Sequence, residues 1–494
     1  MPVYFSVNNL SFRYPSYQGL ESPLLFDSLS FSLQKGTVSV FLAPPGSGKT
    51  TLSRIITSLV PAYTGGTLSG SIRLDDAELT ELHSSDMLNK VGIVFQNPDE
   101  QIICSTAEKE ISFPLENMEL PPEEISTKVQ NALSKMHIEE LREQVPSSLS
   151  GGQKRRLMLA VLHAVDPQLW ILDETLEEID IYARKEILET LKSSGKTVLI
   201  LTSKMLDIYR EFASDFFIFS HGTIEHFQPA DNKLYERASE LGLFINLHMP
   251  EISVLRDKFL KKPECNPVIR LQNIKFAYPD SKFSIEIEDF SLHRGKTTAV
   301  IGTNGCGKST LSKLIAGLLI PSAGKISFMG KETDPGKLNR NVSYLFQNPD
   351  YQLFLPTVQE ELEYGLKLRN KSTDPEQISD AVKIFGIESV TASPVLMSYG
   401  QKKKLQAAIY YLLNKDIIII DEADSGISFT EYTNIIRQFR NSDKDPAIMI
   451  ITHDFKLAVS NADSIYFMNN GKFEEPGDKL ENILNYSFLP GEIL

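Results

Sequence analysis

Gly302-Thr303-Asn304-Gly305-Cys306-Gly307-Lys308-Ser309-Thr310 lies between the apolar run Thr298 to Ile301 and a helix-patterned stretch, Leu311 to Leu319. It fits the phosphate-binding loop G-x-x-x-x-G-K-[ST] in spacing and in strand-loop-helix context. The chemistry accounts for the residue types. Glycines let backbone N–H groups curl around the phosphates of a nucleotide, and the following helix points its positive end at them. Lys308 is placed to reach the β- and γ-phosphates, and Ser309 offers a hydroxyl to Mg²⁺, an ion that keeps most of its waters and takes few protein ligands.

The loop occurs twice. Ala43-Pro44-Pro45-Gly46-Ser47-Gly48-Lys49-Thr50-Thr51 follows the apolar run Val38 to Leu42 and opens a second helical pattern, with Lys49 and Thr50 in the roles of Lys308 and Ser309. The shift from Lys49 to Lys308 is 259 residues, and later motifs repeat at nearly the same shift. A long fixed period of this kind is the mark of a duplicated domain. Half of 494 residues is near the upper end of ordinary domain size, enough for each half to bury a full core.

Asp and Glu outnumber Lys and Arg, 64 against 50, and the formal charge of −14 disfavours a polyanion, so nucleic acid is not expected as the bulk partner. The three cysteines, Cys104, Cys265 and Cys306, have no metal-ligand spacing and suit a reducing compartment; Cys306 reads as a small filler of the loop. No stretch approaches the roughly 18 consecutive apolar residues of a membrane span, and the N-terminal residues lack a signal-type pattern. The expectation is a soluble cytoplasmic protein, with any attachment to a membrane made through a partner.

Along the chain, Val3 to Phe12 and Ile269 to Phe276 alternate as half-buried strands and lead to Tyr14-Pro15 and Tyr278-Pro279. A tyrosine there packs on its strand or stacks on adenine, and its occurrence before both loops favours stacking. Gln96 and Gln347 end apolar strands just before Asn-Pro, where a strand end faces a ligand at the carboxyl edge of an α/β sheet. An amide there can orient a water or complete a Mg²⁺ shell. Ser150-Gly151-Gly152-Gln153 and Ser398-Tyr399-Gly400-Gln401 open helical patterns, as an anion site or as a plain N-cap. The basic triplets that follow, Lys154 to Arg156 and Lys402 to Lys404, read as solvated helix faces.

Twenty-three residues after each serine, an apolar run ends in two acids: Leu169 to Leu172 before Asp173-Glu174, and Ile417 to Ile420 before Asp421-Glu422. Continuous apolar runs suit parallel strands covered on both faces, and Trp170 reads as core. The first acid can hold the Mg²⁺ shell and the second can polarise an attacking water, the two carboxylate tasks of phosphoryl transfer to water. The last apolar strands, Val198 to Leu201 and Ala447 to Ile451, run into Thr202-Ser203-Lys204 and Thr452-His453-Asp454. His453 can contact a γ-phosphate and hold the glutamate and water.

This order of parts resembles the ATP-binding subunits of ABC transporters, over nearly the whole chain and twice. The wording FQNPDEQI with FPLEN downstream (Phe113 to Asn117), and FQNPDYQLF, is similar to the ATPases of energy-coupling-factor importers of vitamins and transition-metal ions. The resemblance implies an α/β fold of two tandem P-loop NTPase domains, each a mainly parallel sheet flanked by helices, with an antiparallel β subdomain and a helical signature subdomain. It implies ATP and Mg²⁺ as cofactors. Metal contacts fall to Thr50, Gln96, Asp173, Ser309, Gln347 and Asp421, and catalysis to Glu174, Glu422 and His453 with the two glutamines.

The two halves are implied to pair head to tail, each nucleotide lying between one half's phosphate loop and the other half's Ser-Gly-Gly-Gln or Ser-Tyr-Gly-Gln signature. ATP bridging them would close the chain. The expected boundaries are 1–230 and 267–494, with a short connector over 231–266. Expected partners are integral membrane transporter subunits, a coupling subunit and a substrate-capture subunit, which puts the chain on the cytoplasmic face of the cell membrane as a peripheral protein. Docking is expected after each glutamine, over Asn97 to Phe113 and Asn348 to Tyr364, with Asp99 and Asp350 as its charged points.

Two other readings stay open: a fused sugar-importer ATPase, against which the wording after Gln96 and Gln347 speaks, and a soluble double-ABC factor acting on ribosomes, which would carry a long charged linker. The two sites also look unequal. Ala43 replaces the first loop glycine, Tyr399 a signature glycine and Ser203 the histidine, all in the site built on Lys49. The loop after the acids differs as well, Glu177-Glu178-Ile179-Asp180 against Ser425-Gly426-Ile427-Ser428, so that the family's Asp survives only at Asp180.

Overall fold

The computed structural model describes residues 3–15, 22, 24–82, 84–176, 179, 181–204, 208–220, 222–244, 258, 267–279, 283–303, 305–368, 374–422 and 426–474. They fall into two compact units, Met1–Asn246 and Leu247–Leu494. The division lies inside the stretch expected as connector. Helix Asn232–Glu240 stays with the first unit because Leu234, Ala238, Leu243 and Phe244 are buried in that unit's core.

In the first unit the strands are β1 (Val3–Arg13), β2 (Phe26–Gln34), β3 (Val38–Leu42), β4 (Thr67–Leu74), β5 (Ala77–Glu78), β6 (Val91–Val94), β7 (Leu169–Asp173), β8 (Thr197–Thr202), β9 (Asp215–Ser220) and β10 (Thr223–Phe227). They form a sheet ordered β2-β1-β4-β5 and a six-stranded sheet ordered β10-β9-β3-β8-β7-β6. The smaller sheet is antiparallel, and the larger is parallel apart from the β9–β10 hairpin.

The second unit repeats this with β11 (Pro267–Ala277), β12 (Ser284–His293), β13 (Thr297–Ile301), β14 (Ala323–Phe328), β15 (Lys331–Glu332), β16 (Val342–Leu345), β17 (Ile417–Asp421), β18 (Ala447–Ile451), β19 (Ser464–Asn469) and β20 (Lys472–Glu474). Its sheets run β12-β11-β14-β15 and β16-β17-β18-β13-β19-β20, the same topology. Parallel pairing forces each connection over a face of the sheet, so both faces are covered and the strands are apolar without alternation. All five residues of β3, β7, β13, β17 and β18 are buried. Trp170 is core as expected, 1% exposed, with Nε1 donating to the Pro167 carbonyl at 3.0 Å.

Both antiparallel sheets carry the same irregularity. The β1–β4 register shifts between Asn8 and Ser11, and the β11–β14 register between Gln272 and Lys275. Asn9 and Asn273 adopt φ of 48° and 52°, and Gly70 and Gly324 lie opposite at φ +97°. A Cβ on Gly70 would stand 2.5 Å from the Asn9 carbonyl oxygen, and one on Gly324 would stand 2.4 Å from that of Asn273. These bulges need glycine for space and for conformation. Gly70→Ala or Gly324→Ala is expected to lower the stability of its unit by about 2–3 kcal/mol. Gly195→Ala, at φ +67° with nothing within 4 Å, should cost only the conformational share. Denaturant midpoints of the three variants test the difference; equal losses would show that close contact adds nothing.

Candidate functional site

Each phosphate loop turns on glycines at positive φ, Gly46 (78°) and Gly48 (98°) in the first unit, Gly305 (80°) and Gly307 (110°) in the second, and runs into helices Lys49–Ile56 and Lys308–Ile315. Asn304 lies outside the described residues. The lysines fold back over their own loops. Lys49 Nζ donates to the carbonyls of Ala43 (2.9 Å) and Pro44 (3.1 Å), and Lys308 Nζ to those of Gly302 (2.9 Å) and Thr303 (3.1 Å). Both ammonium groups are buried and meet a glutamate at the end of the parallel strand, Lys49 to Glu174 Oε1 at 3.3 Å and Lys308 to Glu422 Oε1 at 3.5 Å. Two motifs far apart in sequence thus converge on one point in each unit.

The glutamates sit in the left-handed region, φ 48° at Glu174 and 45° at Glu422, a strained conformation for a non-glycine residue. Their N–H groups donate to Leu201 O (2.8 Å) and Ile451 O (3.0 Å) of the neighbouring strands, which holds the turn. The expected glutamines reach them: Gln96 Nε2 donates to Glu174 Oε2 at 2.7 Å and Gln347 Nε2 to Glu422 Oε2 at 3.1 Å. In the first unit Ser203 Oγ, fully buried, donates to Glu174 Oε1 at 2.9 Å. At the matching place His453 Nδ1 stands 3.7 Å from Glu422 Oε1. The serine therefore keeps the task of holding the glutamate, one of the two given to the histidine.

The preceding aspartates are differently supported. Asp173 accepts from Ser53 Oγ at 3.0 Å through Oδ2, and the Thr50 hydroxyl lies beside the same buried carboxylate and acts to lower its pKa. Asp421 accepts from Ser309 Oγ at 3.3 Å and from the Tyr344 hydroxyl at 2.5 Å, and Tyr344 in turn meets Ser312 Oγ at 2.7 Å. Burial pushes both aspartates up to about 6, and the adjacent glutamate adds to the shift. Burial and Asp421 hold the Tyr344 hydroxyl well above its ordinary range, so it remains a donor. A buried carboxylate beside a phosphate-loop hydroxyl, Asp173 with Thr50 and Asp421 with Ser309, is a donor set that fits Mg²⁺.

Sequence reasoning missed Ser53, Ser312 and Tyr344. Tyr14 and Tyr278 direct their hydroxyls to Thr51 Oγ1 (2.9 Å) and Thr310 Oγ1 (3.3 Å), and pack edge-on against Phe12 and Phe276. Both phosphate-loop threonines are thus engaged from the antiparallel sheet. Cys306 is buried among apolar side chains, as a filler would be, and burial raises its thiol.

The signature segments begin helices Gly151–Val165 and Tyr399–Leu413 with capping boxes in which Ser150 pairs with Gln153 and Ser398 with Gln401. Gly151, Gly152 and Gly400 lie in the first turns of these helices, beside the capped N–H groups. The basic triplets are not solvated faces. Lys154, Arg155 and Lys403 are buried. Lys154 and Lys402 bind Asp99 and Asp350, each at 2.6 Å, which removes those acids from the role of free docking charges. The residues Glu177, Glu178, Asp180 and Ser425 lie outside the described residues.

A raised carboxyl pKa has a definite sign. Below about 4 the aspartates are protonated in folded and unfolded chains alike, and no cost arises. As pH rises from there through about 6, the unfolded chain loses these protons first and the nucleotide-free fold loses stability. Asp173→Asn and Asp421→Asn should therefore each raise the denaturation midpoint at pH 7.5, on the order of 1–3 kcal/mol, and flatten the pH 4–6 slope. A lowered midpoint in both variants would contradict the assignment of burial as the dominant cause.

Glycine loop, converging lysine and paired strand-end acids, present twice on parallel sheets, define a tandem phosphate-loop ATPase. The family model described as "ABC transporter" matches residues 26–177 and again 286–425, and the chain belongs to that family as an ATP-binding protein with two such domains. Its domains bind and hydrolyse ATP. Among relatives, the "Putative HMP/thiamine import ATP-binding protein YkoD" of Bacillus subtilis (strain 168) is 29% identical over 500 residues, covering 94% of this chain and 90% of its own. The "Putative ABC transporter ATP-binding protein CPE1583" of Clostridium perfringens (strain 13 / Type A) is 28% identical over 502 residues, covering 93% and 88%. The solved structure "RNase-L Inhibitor" matches 97% of this chain and 92% of its own at TM-score 0.61, with 16% identity, a likeness of fold alone. No helix among the described residues is long and apolar enough to cross a membrane.

Proposed function

We propose that this protein energises a membrane importer of a small nutrient, a vitamin or a transition-metal ion, of energy-coupling-factor type. The observation that carries the reading is the likeness over 94% of the chain to a relative named for HMP/thiamine import. The matching order of motifs around Gln96 and Gln347 supports it. The fold likeness to the RNase-L inhibitor, at 16% identity, favours no second activity.

In this reading Lys49 and Lys308 neutralise the nucleotide phosphates. Thr50, Asp173 and Gln96 in the first unit, and Ser309, Asp421 and Gln347 in the second, would hold Mg²⁺, which would supply charge withdrawal from the phosphoryl oxygens. Glu174 and Glu422 orient the attacking water and take its proton, positioned by the glutamine amides and by Ser203 or His453. Tyr14 and Tyr278 lie against adenine. The signatures Ser150 to Gln153 and Ser398 to Gln401 complete the site of the other half, and closure of the halves on ATP moves the membrane partner.

The docking surface follows each glutamine. Gln101 fastens its start, accepting from Phe95 N (2.8 Å) and donating to Ile93 O (3.0 Å). Buried Glu110 accepts from Ile103 N (3.0 Å) and Cys104 N (2.7 Å), and buried Glu361 from Phe354 N (2.5 Å) and Leu355 N (2.6 Å). The carboxylates hold short loops that present Ile103 and Phe354 to solvent, 68% and 66% exposed. In the first unit a cleft of about 380 Å³ adjoins the loop, lined by Met87, Leu88, Met158, Val161 and Leu162 among others. An apolar cleft beside an exposed apolar loop suits a short amphipathic helix of a coupling subunit.

Two outcomes test the proposal. Ile103→Asp together with Phe354→Asp should shift the protein from the membrane to the soluble fraction of cells expressing the whole importer, while the purified chain retains ATP turnover within about twofold, since surface substitutions rarely disturb the fold. Recovery with ribosomes in place of membranes would refute the importer reading.

The second concerns inequality of the sites. A neutral serine holds Glu174 but adds no cationic contact to a γ-phosphate, and one such transition-state contact is worth a factor of about 10² to 10³ in rate. Glu422→Gln should abolish most hydrolysis while Glu174→Gln leaves a sizeable fraction, and Ser203→His should raise what remains in the Glu422→Gln variant. Equal losses from the two glutamate changes would show the sites to be equivalent.

A further inference from the structure

We infer that Tyr399, with Lys403 beneath it, is a positioning residue for the glutamine of its own unit, replacing an arginine latch used by the other unit. The two signature helices start alike. Ser150 and Ser398 cap them with φ of −66° and −63° and the same ψ of 159°, so Gly151 corresponds to Tyr399 and Arg155, one turn on, to Lys403. In the first unit the Arg155 guanidinium reaches from the helix to the glutamine loop and donates to the backbone carbonyl of Gln96 at 3.2 Å. In the second unit the same task falls to a different side chain: the Tyr399 hydroxyl donates to the carbonyl of Gln347 at 2.7 Å.

The two substitutions are linked by geometry. Lysine has a single nitrogen at its tip where arginine has a broad fork. Lys403 Nζ lies 4.7 Å from the centroid of the Tyr399 ring, a cation over a π-face. Lys403 is 1% exposed, so this contact accompanies nearly complete burial of the ammonium. Glycine at 151 leaves the carbonyl to arginine; tyrosine at 399 takes the carbonyl itself and offers its ring to the shorter cation. The pair Gly151–Arg155 and the pair Tyr399–Lys403 are thus two solutions to holding one backbone carbonyl. What is held matters, because the amides of these glutamines reach Glu174 and Glu422. Fixing the carbonyl fixes the residue whose other end sets the glutamate. Tyr399 occupies a signature position that the family resemblance directs toward the opposite nucleotide, yet its hydroxyl is engaged on its own side.

This inference rests on the reading that Gln347 and Glu422 act in hydrolysis, so the test includes Gln347→Ala. In steady-state ATP hydrolysis by the full chain, Tyr399→Phe should lower kcat about three- to tenfold, the worth of one hydrogen bond, with KM for ATP within about twofold. Tyr399→Gly should lose at least as much. Tyr399→Gly combined with Lys403→Arg should recover at least half of that loss, because it installs the first unit's latch. An unchanged kcat for Tyr399→Phe, a double variant no better than Tyr399→Gly, or a rise in KM at constant kcat, which would mark a nucleotide contact, each overturns the latch. If Gln347→Ala lowers kcat and Tyr399→Phe does not, the latch alone fails. If Gln347→Ala leaves kcat unchanged, the role of the glutamine fails and the latch has no site to position.

Discussion

A lysine ammonium, buried between two loop carbonyls and a glutamate, is the contact on which each half depends. Lys49 and Glu174 side chains are both 5% exposed, and Lys308 and Glu422 4% and 11%. Charges so placed are costly unless each meets a partner, and removing one member of such a pair typically costs about 3–5 kcal/mol. Satisfying them requires the loop after β3 or β13 to meet the carboxyl end of β7 or β17. Only a parallel sheet, with its crossovers, delivers strand ends from distant sequence to one edge. The ion pair and the fold therefore specify each other. An anionic phosphate competes with the glutamate for the same ammonium.

Around this pair the supports are graded by distance. The glutamine amide and Ser203 touch the glutamate; Arg155 or Tyr399 touches the glutamine's carbonyl; Lys154 and Lys402 bind the aspartates of the same loop. The helix that carries the signature is thereby tied to the loop that carries the glutamine within each unit. The loop after each glutamine is stiffened as well, because the buried carboxylates of Glu110 and Glu361 take two backbone N–H groups each. The same segment is fastened on one side to the nucleotide machinery and on the other to the exposed apolar tips.

Much of this was legible in the sequence because its signals are local. The phosphate loops, the apolar strands ending in Asp-Glu and the glutamines before Asn-Pro each declare themselves within a dozen residues, and the duplication confirms each by a second copy. What escaped depends on partners remote in the chain. Ser53 finds Asp173 at a separation of 120 residues, Tyr344 finds Asp421 at 77, and Arg155 finds Gln96 at 59. The basic triplets were misread because a charge run carries no direction. Helical phase turns Lys154 and Arg155 toward the glutamine loop, and only the packed structure says what they face. One signal was available: the halves differ together at 151/399 and at 155/403, one helical turn apart, as compensating changes do.

The two units share one topology, yet their aspartates are supported by different chemistry. In the first, Ser53 donates directly to Asp173, with Thr50 beside it. In the second, Tyr344 stands where the first unit has Ile93, takes the place of the serine by donating to Asp421, and its oxygen accepts from Ser312. A phenol whose proton is held this firmly shares the negative charge of the carboxylate without removing it, while the other oxygen accepts from Ser309. The histidine differs from the serine in a parallel way, since it can bear a positive charge and Ser203 cannot. Both departures give the second unit more groups able to respond to charge at its phosphate site. Because each acts inside one unit, the duplication lets one half accumulate them without disturbing the lysine–glutamate pair on which both halves are built.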